Sequence, residues 1–209
     1  MNEYSFRKGE TTVGKKKGPK YNQIIDAAVK VIANHGYHQA QVSKIAKEAG
    51  VADGTIYLYF ENKEDILTSL FEEKMGNFVQ IIRNQITEDL SMEDKFLLLI
   101  TKHLEQLEQD HHLAVVTQLE LRQSNTDLRL KINEILKGYL LLVDELLTEG
   151  KEVGFFPDEL DNRLARQMIF GTIDEVVTNW VMKECKYDLS SLAAPVHKML
   201  LGGLCSKPS

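Results

Sequence analysis

The chain has 209 residues, of which 43% are hydrophobic and 27% charged, and its formal net charge is −6. These fractions are typical of a globular protein and exclude a disordered, collagen-like or fibrous chain. No apolar run approaches the roughly 18 residues of a membrane span, and residues 1–21 lack the apolar core of a signal peptide. Cys185 and Cys205 are too few for a disulfide framework or a zinc site. We therefore expect a cytoplasmic protein that does not associate with membranes and carries no cofactor.

Positive charge is concentrated near the N-terminus. Residues 1–63 contain ten Lys or Arg against six Asp or Glu, a net charge of +4, whereas the remainder carries −10. Such asymmetry indicates an N-terminal part that approaches a polyanion. From charge alone, a basic tail that only keeps the chain in solution is an equally good explanation. Residues 1–19 are rich in glycine and lysine and are predicted to form a flexible basic arm.

After this arm, apolar residues recur at three- and four-residue spacing, which is typical of amphipathic helices. The first helix is expected to begin at Lys20 and to end before Gly36. Two capping boxes, Asn62–Asp65 and Ser91–Asp94, each predict the start of a helix of about 20 residues. No segment shows the period-two alternation of a strand, so the predicted fold class is all-α, with about nine helices. The other helices are expected near 42–49, 52–59, 112–123, 127–152, 161–183 and 190–204.

Gly50 separates two short predicted helices that Ala46, Val51 and Ile56 hold together. This is the arrangement of a helix-turn-helix, in which the second helix enters the major groove of DNA. Small and hydroxyl-bearing side chains suit such a surface, because hydroxyls donate to phosphates or bases. A plain pair of helices without DNA contact also fits the spacing. The outward residues of the second helix are Gly54, Thr55, Tyr57 and Tyr59.

The segments IAKEAGV, GTIYLYF and ENKEDIL follow one another between Gly36 and Leu67. This stretch resembles the DNA-binding domain of TetR-family transcriptional repressors. The resemblance implies a homodimer whose paired recognition helices bind a palindromic operator in double-stranded DNA. We accordingly expect a helix-turn-helix DNA-binding domain over 20–66, a ligand-binding and dimerisation domain over 67–204, and a disordered tail over 205–209. The DNA contacts predicted by position are Lys20, Gln41, Ser43, Gly54, Thr55, Tyr57, Tyr59 and Lys63.

Three positions depart from the common pattern of that family. Gln41 stands where a small capping residue is usual, and Ala52 removes the serine that opens the recognition helix. Asp53 would repel phosphate unless it caps the helix or accepts from a cytosine amine. Lysines of the arm are expected to compensate by contacting the DNA backbone or minor groove. These are Lys15, Lys16, Lys17 and Lys20.

The C-terminal half contains very apolar helices with a few basic residues among them. Apolar stripes at helical spacing fill a core more often than they line a ligand site. Guanidinium groups such as those of Arg122 and Arg166, at the mouth of an apolar tunnel, would nevertheless suit an amphiphile with an anionic head. Ion pairing of both arginines with nearby acids is the alternative interpretation.

Residues 117–125, 131–140 and 163–175 are similar to acyl-CoA-responsive regulators of fatty-acid degradation within the same family. This resemblance implies long-chain acyl-CoA as the effector, with its tail in the helical tunnel and its phosphates near basic groups. A TetR-type repressor that responds to a drug or a free fatty acid is the alternative. The predicted ligand-binding residues are Leu104, Leu107, Arg122, Tyr139, Arg166 and Phe170.

The last two helices match the dimerisation pair of the family. Their apolar stripe would form a four-helix interface across a two-fold axis. A monomer could bury the same stripe within itself, but a palindromic operator requires two copies. The stripe consists of Met168, Ile169, Ile173, Val176, Val177, Met199, Leu200 and Leu204.

No catalytic motif accompanies these helices. His103, His111 and His112 lack the i,i+4 spacing of a metal-binding pair, so we expect surface or helix-capping histidines. The sequence contains no nucleophile elbow, phosphate-binding loop or dinucleotide-binding motif. The chain is therefore predicted not to be an enzyme. A helical acyl-CoA carrier or enzyme that merely contains a helix-turn-helix is the remaining alternative, and it would not bind an operator.

Overall fold

The computed structural model describes residues 17–205, which form nine α-helices and one 3₁₀ turn and contain no β-strand. The predicted all-α class is confirmed. Most of the predicted arm and tail, including Lys15 and Lys16, lies outside the described residues. Within them, no helix combines the length and the apolar character needed to cross a membrane. The elements are α1 Pro19–His35, α2 Val42–Glu48, α3 Asp53–Ile56, α4 Lys63–Gln85, α5 Met92–Gln109, α6 His111–Glu120, α7 Thr126–Glu152, α8 Asn162–Met182, the 3₁₀ turn Ser190–Leu192 and α9 Ala193–Leu204.

Side-chain caps fix where the long helices begin. Asn62 accepts a hydrogen bond from the Asp65 amide at 2.8 Å, and Ser91 accepts from the Asp94 amide at 3.1 Å. Each such cap stabilises its helix by about 1 kcal/mol. Both helix starts predicted from the sequence are therefore present. The same kind of cap opens the next three helices, at Asp110, Asn125 and Asp161.

The helix-turn-helix is built by α2, which packs against α1, and by α3, which packs against α2. Gly50 adopts a φ of +63°, a conformation that glycine accepts without strain, and the following Val51 amide donates to the Ala46 carbonyl at 3.0 Å. The side chain of Gln23 on α1 donates to the Ala49 carbonyl at 2.7 Å, which fixes the end of α2. These bonds orient α3 relative to the rest of the chain.

Helix α3 is a single turn, so the predicted extent over 52–59 is wrong. Ala52 provides no side-chain cap, which leaves the first amides of α3 without the stabilisation that a serine would give. The amides of Leu58 and Tyr59 then donate to carbonyls three residues earlier, at 3.2 and 3.0 Å. The chain therefore continues as tight turns as far as Phe60, which is buried.

Helices α4 to α9 form the C-terminal body, in which α5 occupies the middle. Helix α5 contacts α4, α6, α7, α8 and α9, while α4 runs along α7. Both α4 and α6 also pack against α1. The body and the helix-turn-helix are therefore joined through two helices, and a displacement of either helix reaches the DNA-binding part.

The residues of the apolar stripe predicted for dimerisation lie partly on the buried faces and partly on the exposed faces of α8 and α9. Five of its members are buried within the chain itself, so they cannot contact a second copy. Met168 and Met199 are exposed by 41% and 76%, and Leu164, which the sequence analysis omitted, by 56%. The end of the Met168 side chain packs on α9 at Gly203, where a Cβ would lie 2.6 Å from Cε of the methionine. The buried members are Ile169, Ile173, Val177, Leu200 and Leu204.

Candidate DNA interface and ligand cavity

A concave surface lies between α2, α3 and the start of α4. It brings together four of the predicted DNA contacts, Gln41, Ser43, Tyr57 and Lys63. Gly54 is exposed on α3 beside this surface, and Lys20 is exposed on α1. The ring of Tyr57 is 59% exposed. Thr55 and Tyr59 are half-buried, so they present less surface than the sequence pattern indicated.

Lys63 is held by the turn that follows α1. Its ammonium donates to the carbonyls of Tyr37 and His38, at 3.0 Å each, and lies 4.6 Å from the centre of the Tyr37 ring. An ammonium has three N–H groups, so one stays available to a phosphate. Lys63 therefore stabilises this turn in addition to the DNA contact predicted for it. The sequence contained no signal for it, because the acceptors are backbone oxygens about 25 residues away.

Neither Gln41 nor Asp53 forms a side-chain cap at the start of its helix. Gln41 is the N-cap residue of α2, but its side chain makes no capping hydrogen bond. Asp53 occupies the first turn of α3, which also lacks a side-chain cap, and its side chain lines the concave surface. Gln41 thus does not replace the usual capping residue and the capping role considered for Asp53 is wrong, while the DNA contacts considered for both residues remain predictions.

A narrow cavity of about 30 Å³ lies among α4, α5, α6, α7 and α8. This is space for about one water molecule. Leu107 and Phe170, two of the predicted ligand-binding residues, lie in its wall, whereas Leu104 is buried but is not part of the wall. The wall is apolar except for five side chains. The lining residues are Lys74, Met75, Phe78, His103, Leu107, Leu113, Thr117, Gln118, Leu121, Leu136, Phe170 and Asp174.

His103 is a buried part of this wall, so the expectation of a surface or capping histidine is wrong for it. Its Nδ1 atom is hydrogen-bonded to the hydroxyl of Tyr139 at 2.8 Å. Burial lowers the pKa of His103 to about 3, so the ring is neutral at physiological pH. The Tyr139 ring in turn packs against Phe170, with ring centres 6.1 Å apart. His111 and His112 are exposed as expected.

The two arginines proposed for the tunnel mouth are both ion-paired. Arg122 binds Asp174, a carboxylate of the cavity wall whose side chain is only 9% exposed, while the arginine itself is 62% exposed. The amide nitrogen of Gln118, when it faces its acceptors, donates to the same carboxylate at 3.0 Å. Arg166 pairs with Asp144, outside the cavity wall. Arg122 is thus adjacent to the cavity, and Arg166 is not.

Among residues 17–205 no group of three histidine, cysteine or carboxylate side chains is arranged to hold a metal ion. The two cysteines are free and half-buried. Burial raises the pKa of both thiols.

Comparison with known proteins gives matches along nearly the whole chain. The family "Bacterial regulatory proteins, tetR family" matches residues 24–70, and "YsiA-like protein, C-terminal region" matches residues 71–203. The fatty acid metabolism regulator protein of Bacillus subtilis is 63% identical over 92% of this chain and 100% of its own length. These matches confirm the family predicted from the sequence and a regulator rather than an enzyme.

Two solved structures of fatty acid degradation regulators are similar throughout. The FadR of Bacillus halodurans is 73% identical, with a TM-score of 0.86 over 88% of this chain and 99% of that one. The FadR of Bacillus subtilis, solved in complex with stearoyl-CoA, is 63% identical, with a TM-score of 0.85 over the same shares. From its sequence, fold and relatives, the chain belongs to the TetR family of bacterial regulatory proteins.

Proposed function

We propose that this chain is a cytoplasmic, dimeric repressor of fatty-acid degradation genes that binds a palindromic operator and releases it when long-chain acyl-CoA binds. A relative of 63% identity over its full length is a regulator of fatty acid metabolism, and its structure contains stearoyl-CoA. At such identity the two chains have the same fold and the same helices around the cavity. We infer the same class of ligand for this chain.

The observation that carries the proposal is the apolar cavity bounded by an exposed arginine. Its wall is formed mainly by Leu, Phe and Met side chains, which suit an acyl tail. Arg122 lies at its edge with most of its guanidinium in solvent. A phosphate of CoA offers this group the bidentate geometry that arginine prefers. The guanidinium then exchanges Asp174 for the ligand, and Gln118 continues to donate to the carboxylate.

Release of DNA follows from the size of the cavity. A volume of about 30 Å³ admits no acyl chain, so ligand binding must separate the surrounding helices. Helix α4 carries Lys74 and Phe78 in the cavity wall and Lys63 at the DNA surface. Lys74 also pairs with Asp26 of α1 at 2.6 Å. Movement of α4 therefore changes the position of α3, the proposed recognition helix.

The energetic requirement is modest. The ligand must bind the DNA-incompetent arrangement more tightly than the competent one. Two recognition helices must lie about 34 Å apart to meet successive major grooves, so a shift of a few ångströms costs contacts in both half-sites. A coupling free energy of about 1–3 kcal/mol weakens operator binding by about 5- to 150-fold.

Dimerisation is proposed through the exposed faces of α8 and α9. Leu164, Met168 and Met199 form apolar projections there, and the exposed residues of α9 around Met199 are small apart from Lys198. Small residues let helices approach closely across a two-fold axis. The exposed α9 residues on this face are Ala194, Pro195, Lys198, Met199, Gly202 and Gly203.

The test is fluorescence anisotropy of the purified protein with labelled DNA from upstream of its own gene and of fatty-acid degradation genes. We expect tight binding that stearoyl-CoA reverses and that CoA or stearate alone does not. Binding that responds to stearate as well as to the CoA ester would favour a free fatty acid as effector. Operator binding that no acyl compound changes would contradict the effector, and absence of binding to all these fragments would contradict the repressor.

The role of Arg122 has its own test. Substitution Arg122→Met alone would leave the buried Asp174 without its cation, so it is combined with Asp174→Asn. The double variant should bind stearoyl-CoA at least about tenfold more weakly and bind operator normally. The matched control is Arg166→Met combined with Asp144→Asn, because that ion pair lies outside the cavity wall.

A further inference from the structure

The last residue of α6 is hydrogen-bonded to the DNA-binding part of the chain. Oε1 of Glu120 accepts from the backbone amide of Tyr37 at 2.8 Å. Tyr37 lies in the turn between α1 and α2, directly after Gly36, whose φ is +73°. A carboxylate bonded to an amide is a charge-assisted contact, stronger than one between neutral groups. This bond therefore fixes the end of α6 against the turn that leads into the helix-turn-helix.

The Glu120 side chain is itself held in place. The amide of Gln123 donates to its other carboxylate oxygen at 2.6 Å and to its carbonyl at 3.1 Å. Arg129 of α7 donates to the Gln123 carbonyl at 3.2 Å. Because both oxygens of Glu120 are engaged, movement of the segment 120–123 moves the carboxylate with it.

The residues next to Glu120 belong to the ligand cavity. Leu121 is buried in the cavity wall, and Arg122 binds the cavity carboxylate of Asp174. Along four consecutive residues, Glu120 bonds to the DNA-binding turn and Leu121 lies in the cavity wall. Arg122 binds the cavity carboxylate, and Gln123 donates to Glu120. A ligand that displaces the buried Leu121 therefore shifts this segment, and one that takes Arg122 from Asp174 removes a contact that holds it.

Helix α4 also binds the turn between α1 and α2. Lys63 donates to the carbonyls of Tyr37 and His38, while Glu120 takes the Tyr37 amide. The turn is therefore clamped between α6 and α4, the two helices that pack on α1 and line the cavity. A displacement of about 1 Å carries the bond from Glu120 beyond hydrogen-bonding distance and leaves the turn held by α4 alone.

We propose that Glu120 is the positioning residue that couples occupation of the cavity to the orientation of the helix-turn-helix. Its bond to Tyr37 belongs to the closed-cavity, DNA-competent arrangement, and ligand binding breaks it. The inference rests on the proposed function, because it assigns a role within the acyl-CoA response. If ligand binding must break this bond, then removing the bond in advance strengthens ligand binding and weakens operator binding.

The experiment measures two dissociation constants for each variant, one for operator without ligand and one for stearoyl-CoA without DNA. In Glu120→Ala we expect operator binding to weaken by about 3- to 10-fold and stearoyl-CoA binding to tighten by a similar factor. Glu120→Asp keeps the charge but is too short to reach Tyr37, so it should behave like the alanine variant. Glu120→Gln keeps an acceptor oxygen for Tyr37 but loses the charge and turns a donor toward the Gln123 amide, so it should lie between the wild type and the alanine variant. Glu134→Ala removes an exposed acid of α7 and is the control.

A purely structural role predicts a different result. It would lower thermal stability and weaken both ligand and operator, or leave the ligand constant unchanged, and either outcome overturns the inference. If Glu120→Ala does not fold, Glu120→Asp and Gln123→Ala decide the question by the same pair of constants. Failure of the wild type to respond to stearoyl-CoA would instead contradict the proposed function itself, so the two failures are distinct.

Discussion

The Nδ1 atom of His103 lies 2.8 Å from the hydroxyl oxygen of Tyr139, and both side chains are buried beside the cavity. The ring of Phe78 packs edge-on against both, with ring centres 5.0 and 5.7 Å away. Burial lowers the pKa of His103 and raises that of Tyr139, so both groups are neutral at physiological pH. The cavity therefore offers hydrogen bonding without charge at this point of its wall.

This pair predicts a pH dependence of stability. In the unfolded chain His103 takes up a proton near pH 6.5, but in the folded protein only near pH 3. Between these values the unfolded state binds more protons, so the free energy of unfolding falls as the pH falls. Urea unfolding at pH 7 and pH 5 should show that the wild type loses about 2 kcal/mol more than His103→Gln, in which this titration is absent.

The exposed His112 supplies the control for this experiment. His112→Gln should follow the wild type at both pH values, because it leaves the His103 ring and its surroundings unchanged. Equal losses in the wild type and in His103→Gln would mean that the His103 ring is protonated in the folded state.

Filling the cavity should abolish the response to ligand and leave DNA binding intact. The Thr117 hydroxyl donates only to the Ala114 carbonyl one turn earlier, at 3.0 Å, so an apolar replacement leaves no buried donor unpaired. Thr117→Leu adds volume to a cavity of about 30 Å³ and blocks its opening for a tail. We expect stearoyl-CoA affinity to fall at least about tenfold with operator affinity within about twofold of the wild type.

Thr148→Leu is the matched control for that substitution. The Thr148 hydroxyl donates to the Asp144 carbonyl at 2.8 Å in the same way, but this residue is exposed on α7. Its variant should bind ligand normally. A Thr117→Leu protein that still binds stearoyl-CoA with wild-type affinity would place the acyl chain elsewhere.

A charge on the exposed face of α9 should separate the protomers. Met199 is 76% exposed, so Met199→Glu changes nothing within the folded chain but places two carboxylates in an apolar interface. Sedimentation velocity should show a monomer at micromolar concentration, and operator affinity should fall by at least about tenfold. Leu141→Glu, at a residue 56% exposed on α7, should remain dimeric. Dissociation of both variants, or of neither, would argue against this interface.

Lys63 predicts a change in the salt dependence of DNA binding. If its remaining N–H group meets a phosphate, Lys63→Met removes one contact per protomer, and the slope of log affinity against log salt becomes shallower by about 0.9 for each. The same substitution also frees the carbonyls of Tyr37 and His38. Unchanged slope with reduced affinity would restrict Lys63 to its structural role. Lys137→Met, on the exposed face of α7, should alter neither quantity.

Local patterns were sufficient to predict the helices. The caps at Asn62 and Ser91 and the glycine turn at Gly50 act within four residues, so sequence spacing reveals them directly. Helix α3 was overestimated because the amides of Leu58 and Tyr59 bond to carbonyls three rather than four residues earlier, which residue spacing does not distinguish from an α-helix.

Contacts between distant residues were outside the reach of such patterns. His103 reads as a polar residue on an amphipathic helix, and only the packing of α5 against Tyr139 of α7 shows that it is buried. The bond from Glu120 to the Tyr37 amide joins residues 83 positions apart and involves a backbone group, which carries no signal in the sequence. Helix α8 is apolar on two faces, so periodicity did not separate its buried side from its exposed one.

The narrowness of the cavity has a kinetic consequence. If the acyl chain occupies this cavity as proposed, a space for about one water molecule cannot admit it until α4, α6 and their neighbours move apart, so each association event waits for the protein to open. The observed rate of acyl-CoA binding should therefore rise with ligand concentration and then level off at the opening rate. Brief pulses of effector that are shorter than the opening time would pass without releasing the operator, so the protein responds to sustained supply.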